Sequence, residues 1–308
     1  MTGFAREQLA TLLALVDEGT FEAAAARLHV TASAVSQRVK AMEQSAGQVL
    51  VQRTNPVRPT SAGDIVLRLA RQVQLVETEA LSALGQTDSG SSRPTLAVAV
   101  NADSLATWFL PALAEASERH SAVFDVHRDD QDHTTALLRS GEVMAAVTST
   151  PEPVQGCSVS PLGVMRYSAV ASPAFRDRWA GGGTLSAWLG AAPLVNFDRR
   201  DELQFGFLER LGLDARQSPA HFVPTSADFA RAVVLGLGWG MLPEQQCLDD
   251  LSRGTLVELA PRAPVDIALH WQRWNLDSVL LDGLTLAVRN AASNALRPLG
   301  RPPRENRA

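Results

Sequence analysis

The chain has 308 residues, 45% of them apolar and few aromatic, an ordinary globular composition with room for two or three domains. Its formal net charge of −5 argues against a surface coated in basic charge for unspecific nucleic-acid binding. No apolar run approaches the roughly eighteen residues of a membrane span, and Arg6, Glu7, Asp17 and Glu22 interrupt the apolar stretch a signal peptide needs, so a cytoplasmic location is expected.

Residues 6–17, REQLATLLALVD, place Leu9, Leu12, Leu13 and Val16 on one helical stripe, which Gly19 stops. Thr20 is placed to cap a second helix, FEAAAARLH, and Thr31 to cap a third. In the third, Val35, Val39 and Met42 share one face, while Ser33, Ser36, Gln37 and Lys40 fall at i, i+3, i+4 and i+7 on the other. Gly47 ends it, QVLVQR reads as a short strand, and TNPVRPT reads as a proline-pinned turn into another extended piece. Three helices and a two-stranded wing make the winged helix-turn-helix pattern.

Charge is uneven here. Between Arg27 and Arg58 lie Arg27, Arg38, Lys40, Arg53 and Arg58 against the single acid Glu43, a local balance of +4, and Lys40 is the only lysine of the chain. The third helix therefore reads as a recognition helix for a DNA major groove. Ser33, Ser36, Gln37, Arg38 and Lys40 would meet bases and phosphates, and Arg53, Thr54 and Arg58 would grip the backbone from the wing.

A long helix follows, with Ser61 and Asp64 as its start signal and Ile65, Leu69, Val73, Val76, Ala80 and Ala83 spaced alternately by four and three. About 25 residues at about 1.5 Å each give a rod of roughly 37 Å. Such a stripe wants a partner helix, most simply its copy in a second subunit. GQTDSGSSRP, residues 85–94, is a linker by composition.

Beyond it strands and helices alternate: TLAVAV, SLATWFLPALAEA, AVFDVHR, HTTALLRSG and VMAAVTS read β-α-β-α-β. A second series has strands near YSAVAS, PLVNFD, AHFVP, GMLP and TLVEL; VDIALHWQ at 265–272 returns as a strand, and LDGLTLAVRNAASNAL closes as a helix. Two α/β lobes with repeated crossovers result, like a periplasmic-binding-protein fold, and their cleft collects the strand ends where ligands bind. The expected units are a DNA-binding domain over 1–60, a linker helix and hinge over 61–92, and an effector domain over 93–308. Within the last, lobe I takes about 93–161 and 266–308, and lobe II about 162–265. The Pro- and Arg-rich tail RPLGRPPRENRA reads as frayed.

Polar groups at strand ends are the candidates for a cleft site. Asp103 and Ser104 follow the strand 95–100, TST at 148–150 ends another, and TSAD at 225–228 opens a helix; plain helix capping is the competing role for each. HRDDQDH, residues 127–133, lacks a metal-ligand spacing and reads as a solvated loop. Cys157 and Cys247 have no CxxC spacing and read as free thiols, and Trp239, Trp271 and Trp274 as packing residues. No nucleophile elbow, phosphate loop, HExxH or paired-carboxylate motif appears, so no catalysis and no cofactor are expected.

FEAAAARLHVTASAVSQRVKAMEQSAGQVLVQRTNPVRPTSAG, through Ala24, Ala25, Leu28, Ser33, Val35, Ser36, Val39, Glu43 and the closing RPTSAG, resembles the DNA-binding module of LysR-type transcriptional regulators. The resemblance runs along the whole chain and includes GLGWGMLP at 236–243; VNADSLATWFLPAL and SAVSQRVKAME look most like the LysG/ArgP branch, regulators of basic amino-acid export. Ala32 departs from the Gln or Pro of many members, so the resemblance carries no base contact over to that position.

The resemblance implies a homodimer pairing through the linker helices and assembling to a tetramer, double-stranded operator DNA and RNA polymerase as partners, and no membrane. It also implies a small effector between the lobes, lysine or arginine. Ser104, Thr148, Ser149, Thr150, Thr225 and Ser226 would hold its carboxylate or amine, and Asp103 or Asp198 its cationic side chain. A LysR-type regulator of a different effector, or a two-lobed solute-binding protein or enzyme, stays open as the alternative.

Overall fold

A computed structural model describes residues 3–85, 93–128, 131–214 and 218–299. The composition-based linker at 85–94 lies almost wholly outside the described residues, as do the centre of the 127–133 loop and the end of the tail.

The N-terminal unit comprises α1 (Arg6–Glu18), α2 (Phe21–Leu28), α3 (Ala32–Ala46), β1 (Val51–Gln52) and β2 (Arg58–Pro59), followed by the long helix α4 (Ser61–Ala83). Thr20 and Thr31 each accept a backbone N–H through Oγ1 at 3.1 Å, from Ala23 and Ala34, and so cap α2 and α3 as their sequence positions require. The start of α4 lies one residue earlier than expected, since Thr60 rather than Ser61 accepts the Gly63 N–H at 3.1 Å. Val35, Val39 and Met42 are fully buried against Leu12, Leu15 and Leu67, which fixes the opposite face of α3 outward.

The wing is held by one acid. Glu43 Oε1 accepts the N–H of Leu50 at 3.0 Å and of Val51 at 3.5 Å, tying the end of α3 to the strand that follows. Hydrogen bonds to charged groups contribute about 1.5–3 kcal/mol. Glu43→Ala is therefore expected to lower hydrogen-exchange protection at residues 50 and 51 by at least about tenfold. Glu43→Gln, which keeps an acceptor, should recover part of it.

The C-terminal unit opens with β3 (Thr95–Val100), α5 (Ala102–Ser104), a π-helical turn (Leu105–Phe109), α6 (Leu110–His120), β4 (Val123–Arg128), α7 (Gln131–Ser140) and β5 (Ala145–Thr148). Next come β6 (Cys157–Ala171), α8 (Pro173–Ala180), α9 (Leu185–Trp188), β7 (Leu194–Asn196), α10 (Leu203–Arg210), β8 (Ala220–Phe222), α11 (Ser226–Val234), β9 (Gly240–Pro243), α12 (Glu244–Arg253), β10 (Val257–Glu258), β11 (Val265–Trp274) and α13 (Val279–Ala295).

One sheet runs β10-β6-β11-β5-β3-β4, with β9 also paired to β6, while β7 and β8 pair in parallel. The strand expected at YSAVAS is the end of the fifteen-residue β6, whose antiparallel pairing with β11 runs from Trp274↔Cys157 to Val265↔Tyr167. This ribbon joins the lobes. Its register shifts between Leu269 and His270, opposite Pro161 to Gly163, and such a bulge bends a strand pair.

Around β3, β4 and β5 the apolar face carries α6 and α13 over Phe109, Trp271 and Trp274, all buried as packing residues. The other face holds Leu138 and Val143 beside α7. Beyond the ribbon a smaller core gathers Val195, Phe229, Val233, Leu242 and Cys247. Helix α4 belongs to two cores: Val66, Leu67 and Ala70 pack with the N-terminal unit, and Leu75 with the sheet unit. Its outer stripe of Ile65, Leu69, Val76 and Leu84 stays exposed, Ile65 at 73%.

Candidate functional sites

The polar face of α3 is open. Ser33, Gln37 and Lys40 are exposed and Ser36 partly so, and Gln44, which the sequence reading left out, extends the same row by another turn. Arg53 and Arg58 are exposed on the two sides of the hairpin, and the Arg53 guanidinium lies 5.6 Å over the Phe21 ring, which holds the wing against α2. Thr54 donates to the Pro56 carbonyl at 2.6 Å, fixing the turn that carries Arg58.

Arg38 sits apart from this row. It lies on α3 between the two faces and turns back toward α1, where Nη2 sits 3.3 Å from Glu7 and Nη1 donates to Thr11 Oγ1 at 3.3 Å. These contacts link α3 to α1.

In the inter-lobe region the residues at 103 and 226 meet directly. Ser226 Oγ donates to one oxygen of Asp103 at 2.6 Å, and Tyr167 Oη donates to the other at 2.8 Å. Ser226 in turn accepts from Gln246 Nε2 at 2.7 Å. Asp103 stands after β3, Tyr167 on the ribbon, Ser226 at the start of α11 and Gln246 on α12, so this cluster draws on both lobes. Burial pushes the Asp103 carboxyl above the usual carboxylate range; its two hydroxyl donors oppose this, and the Asp201 charge adds to it. The Tyr167 phenol is driven well above its ordinary value by burial and by Asp103. Among the described residues no basic side chain pairs with Asp103.

Tyr167, Gln246 and Asp201 were all missed. Tyr167 had one signal, being the only tyrosine in a chain with ten phenylalanines. Asp198, the other expected counter-charge, accepts the N–H groups of Arg200 at 2.7 Å and Asp201 at 3.1 Å through Oδ1 and so supports the turn. Asp201 is the acid whose field reaches Asp103.

Thr148, Ser149 and Thr150 lie at the end of β5, one strand from β3. Thr148 is buried and donates to the Thr150 carbonyl at 3.0 Å, while the Gln272 amide reaches the Thr150 carbonyl at 3.2 Å and the Glu152 carbonyl at 2.9 Å. Ser104 Oγ is buried with no hydrogen-bond partner, and so is Nδ1 of His270, which stands beside Thr148 across the β11–β5 pair. Burial lowers the His270 pKa, against the pull of Glu152. Thr225 stands at the N-cap position of α11 without a side-chain cap bond, and its hydroxyl donates instead to the Asp228 carboxylate at 2.5 Å. No metal-binding group of His, Cys, Asp and Glu and no helix long and apolar enough to cross a membrane occurs among the described residues.

Comparison with known proteins agrees with this two-part geometry. Residues 6–64 match the bacterial regulatory helix-turn-helix protein, lysR family, and residues 89–291 match the LysR substrate binding domain. The HTH-type transcriptional regulator LysG of Mycobacterium tuberculosis is 46% identical over 290 residues, 94% of each chain. The lysine export transcriptional regulatory protein LysG of Corynebacterium glutamicum is 41% identical over 292 residues, 94% of this chain and 99% of that one. The structure of full-length LysG from C. glutamicum with bound effector Arg superposes with a TM-score of 0.80 at 40% identity, covering 96% of this chain and 100% of that one. With both halves matched in order and relatives aligned along nearly the whole length, the chain belongs to the LysR family of bacterial transcriptional regulators.

Proposed function

We propose that this regulator senses a basic amino acid, arginine or lysine, between its lobes and adjusts promoter binding accordingly. The observation that carries the reading is the Asp103 carboxylate, bonded by two hydroxyl groups, pressed by the Asp201 charge and, among the described residues, paired with no base. A cation is the group such a site lacks. Ser104, Thr148, Ser149 and Thr150 take the ligand's other end, with Ser226 and Thr225 closing from the second lobe. The relatives named for lysine export and solved with arginine support the same ligand class.

The DNA-binding set is Ser33, Ser36, Gln37, Lys40, Arg53, Thr54 and Arg58, with Gln44 added and Arg38 removed. The units we assign are 1–60, 61–92 and 93–308, the last divided into lobe I, about 93–161 and 266–308, and lobe II, about 162–265. The exposed stripe of α4 fits a homodimer seam, and two dimers make a tetramer. The protein acts in the cytoplasm at a promoter where RNA polymerase is its partner, with neither catalysis nor a cofactor.

The test is titration of labelled DNA from upstream of the neighbouring gene, with arginine, lysine and neutral amino acids added in turn. Binding that responds only to a neutral or aromatic acid defeats the effector assignment. Lys40→Ala is expected to weaken every DNA sequence alike and to reduce the salt slope of log Kd by about 1, as for one lost phosphate contact. A sequence-selective loss would make Lys40 a base contact instead.

A further inference from the structure

Helix α4 is clasped by its own effector unit at points that flank the candidate ligand residues. Arg68 donates from Nη1 to the Gln155 carbonyl at 2.7 Å and from Nη2 to the Gly156 carbonyl at 2.9 Å, with its guanidinium 5.7 Å over the Trp274 ring. Arg71, one turn on, donates to the Gly141 carbonyl at 2.7 Å, and its other nitrogen lies 3.4 Å from Asp17 on α1. Asp17 also pairs with Arg27 of α2 at 3.2 Å. Farther along, Glu79 accepts from Ser278 Oγ at 2.6 Å and from the Leu280 N–H at 3.0 Å, capping α13.

Between residues 141 and 156 runs β5 with Thr148, Ser149 and Thr150 at its end. The chain from 150 to 154 is wrapped around one buried amide, since Gln272 donates to the carbonyls of Thr150 and Glu152 and accepts the Val154 N–H at 3.0 Å. The next two carbonyls, 155 and 156, are those that Arg68 holds. Polar contacts joined by short stretches of backbone thus lead from Thr150 through Gln272 to Val154, from the adjoining 155 and 156 carbonyls through Arg68 into α4, and from Arg71 through Asp17 into α1. The approach is close enough to require glycine: a Cβ on Gly141, at φ +78°, would lie 2.8 Å from Arg68 Cβ.

We propose that the 150–156 loop, gripped by Gln272 at one end and Arg68 at the other, is the relay by which an occupied cleft repositions the DNA-binding unit. The relay rests on the reading of 148–150 as ligand contacts. Ligand bonding at Thr148 or Thr150 competes with the Gln272 network, and the loop passes the change to a helix that is part of both cores. Contiguity alone transmits nothing unless an element has two arrangements; the loop is assigned that role, with Arg68 as a positioning residue that touches neither DNA nor ligand.

The test uses the full chain. Arginine affinity is read by calorimetry and affinity for the upstream DNA fragment by fluorescence anisotropy, each with and without the other ligand. In the wild type the two affinities are expected to shift each other by a common factor of about tenfold, within the usual range of coupling. In Arg68→Ala, and in Arg68→Lys, which keeps the charge but loses the two-carbonyl fork, each separate affinity should stay within about threefold while the coupling factor falls to about 1. Coupling that survives in both variants overturns the relay, and so does a loss of arginine binding itself, which would make Arg68 part of the lobe's framework. A wild type that binds DNA but no basic amino acid overturns the effector reading, and the relay as stated falls with it. A wild type that binds both with a factor of 1 overturns the relay alone.

Discussion

Asp103→Asn is expected to weaken arginine and lysine by at least about 30-fold while changing the affinity of a neutral amino acid by no more than about threefold. Asparagine keeps one oxygen to accept from one of the two hydroxyls and sets an NH2 against the other, whose oxygen can accept once its own hydrogen turns away, so the side chain's shape is kept and the charge is lost. Removing one member of a buried charge pair costs about 2–5 kcal/mol, and about 1.4 kcal/mol is a decade in Kd. Calorimetric titration of both variants with arginine and a neutral analogue decides it. Equal losses for both ligands would mean that Asp103 shapes the site without reading charge.

Acid dependence gives a second reading of the same group. The carboxyl is raised in the free protein by burial and by Asp201, with Tyr167 on the ribbon and Ser226 on α11 holding it partly down. A cationic ligand favours the ionised form, so binding at low pH must expel a proton. Affinity should therefore strengthen as pH rises up to the raised value, then level off. For folding the sign is opposite. A raised native carboxyl binds its proton more tightly than the unfolded chain does, so stability declines as pH rises from the ordinary carboxylate range to the raised value. Asp103→Asn should flatten both curves.

Legibility followed locality. The three helices of the N-terminal unit, the threonine caps of α2 and α3 and the two faces of α3 depend on residues three or four apart, and all were readable. The contacts of Arg38 were not legible because its partners, Glu7 and Thr11, stand on another helix, and nothing in the local spacing says which way a long side chain turns. Likewise β6 looked like a short strand at YSAVAS because its first ten residues, with Ser, Pro and Gly among them, are strand only through pairing with β11 a hundred residues later. In the cleft, Asp103, Ser104 and Ser226 carry a local marker, standing after a strand or at a helix start. Tyr167, Gln246, Asp201 and Gln272 have no such marker, because their roles come from tertiary proximity.

The RPTSAG segment closes the N-terminal unit, and Gly63→Ala is expected to damage it more than any other single methyl. Thr60 N donates to the Leu50 carbonyl at 2.9 Å, Thr60 Oγ1 donates to the Val49 carbonyl at 2.7 Å, and the same hydroxyl accepts from Gly63. The first turn of α4 is thereby drawn onto the chain leaving α3, with Gly63 buried at the contact. A Cβ there would stand 2.0 Å from the Leu50 carbonyl oxygen and 3.1 Å from its carbon, both backbone atoms that no rotamer change can move. Relief requires α4 to lift from β1, which would open Val66 and Leu67 and strain the Glu43 contacts to Leu50 and Val51. Overpacking commonly costs about 1–3 kcal/mol. A clash with fixed backbone belongs at or above the top of that range, enough to lower the melting temperature of a small unit by about 10 °C or more. Thermal unfolding of the full chain should then show an early transition for the DNA-binding unit and loss of upstream-fragment binding, with arginine affinity in the lobes retained. Ala62→Gly, next in sequence and only partly buried, is the comparison: it should cost about 1 kcal/mol through helix propensity alone. If Gly63→Ala proves as mild, the close approach of α4 to Leu50 is not what holds the reading head to its helix.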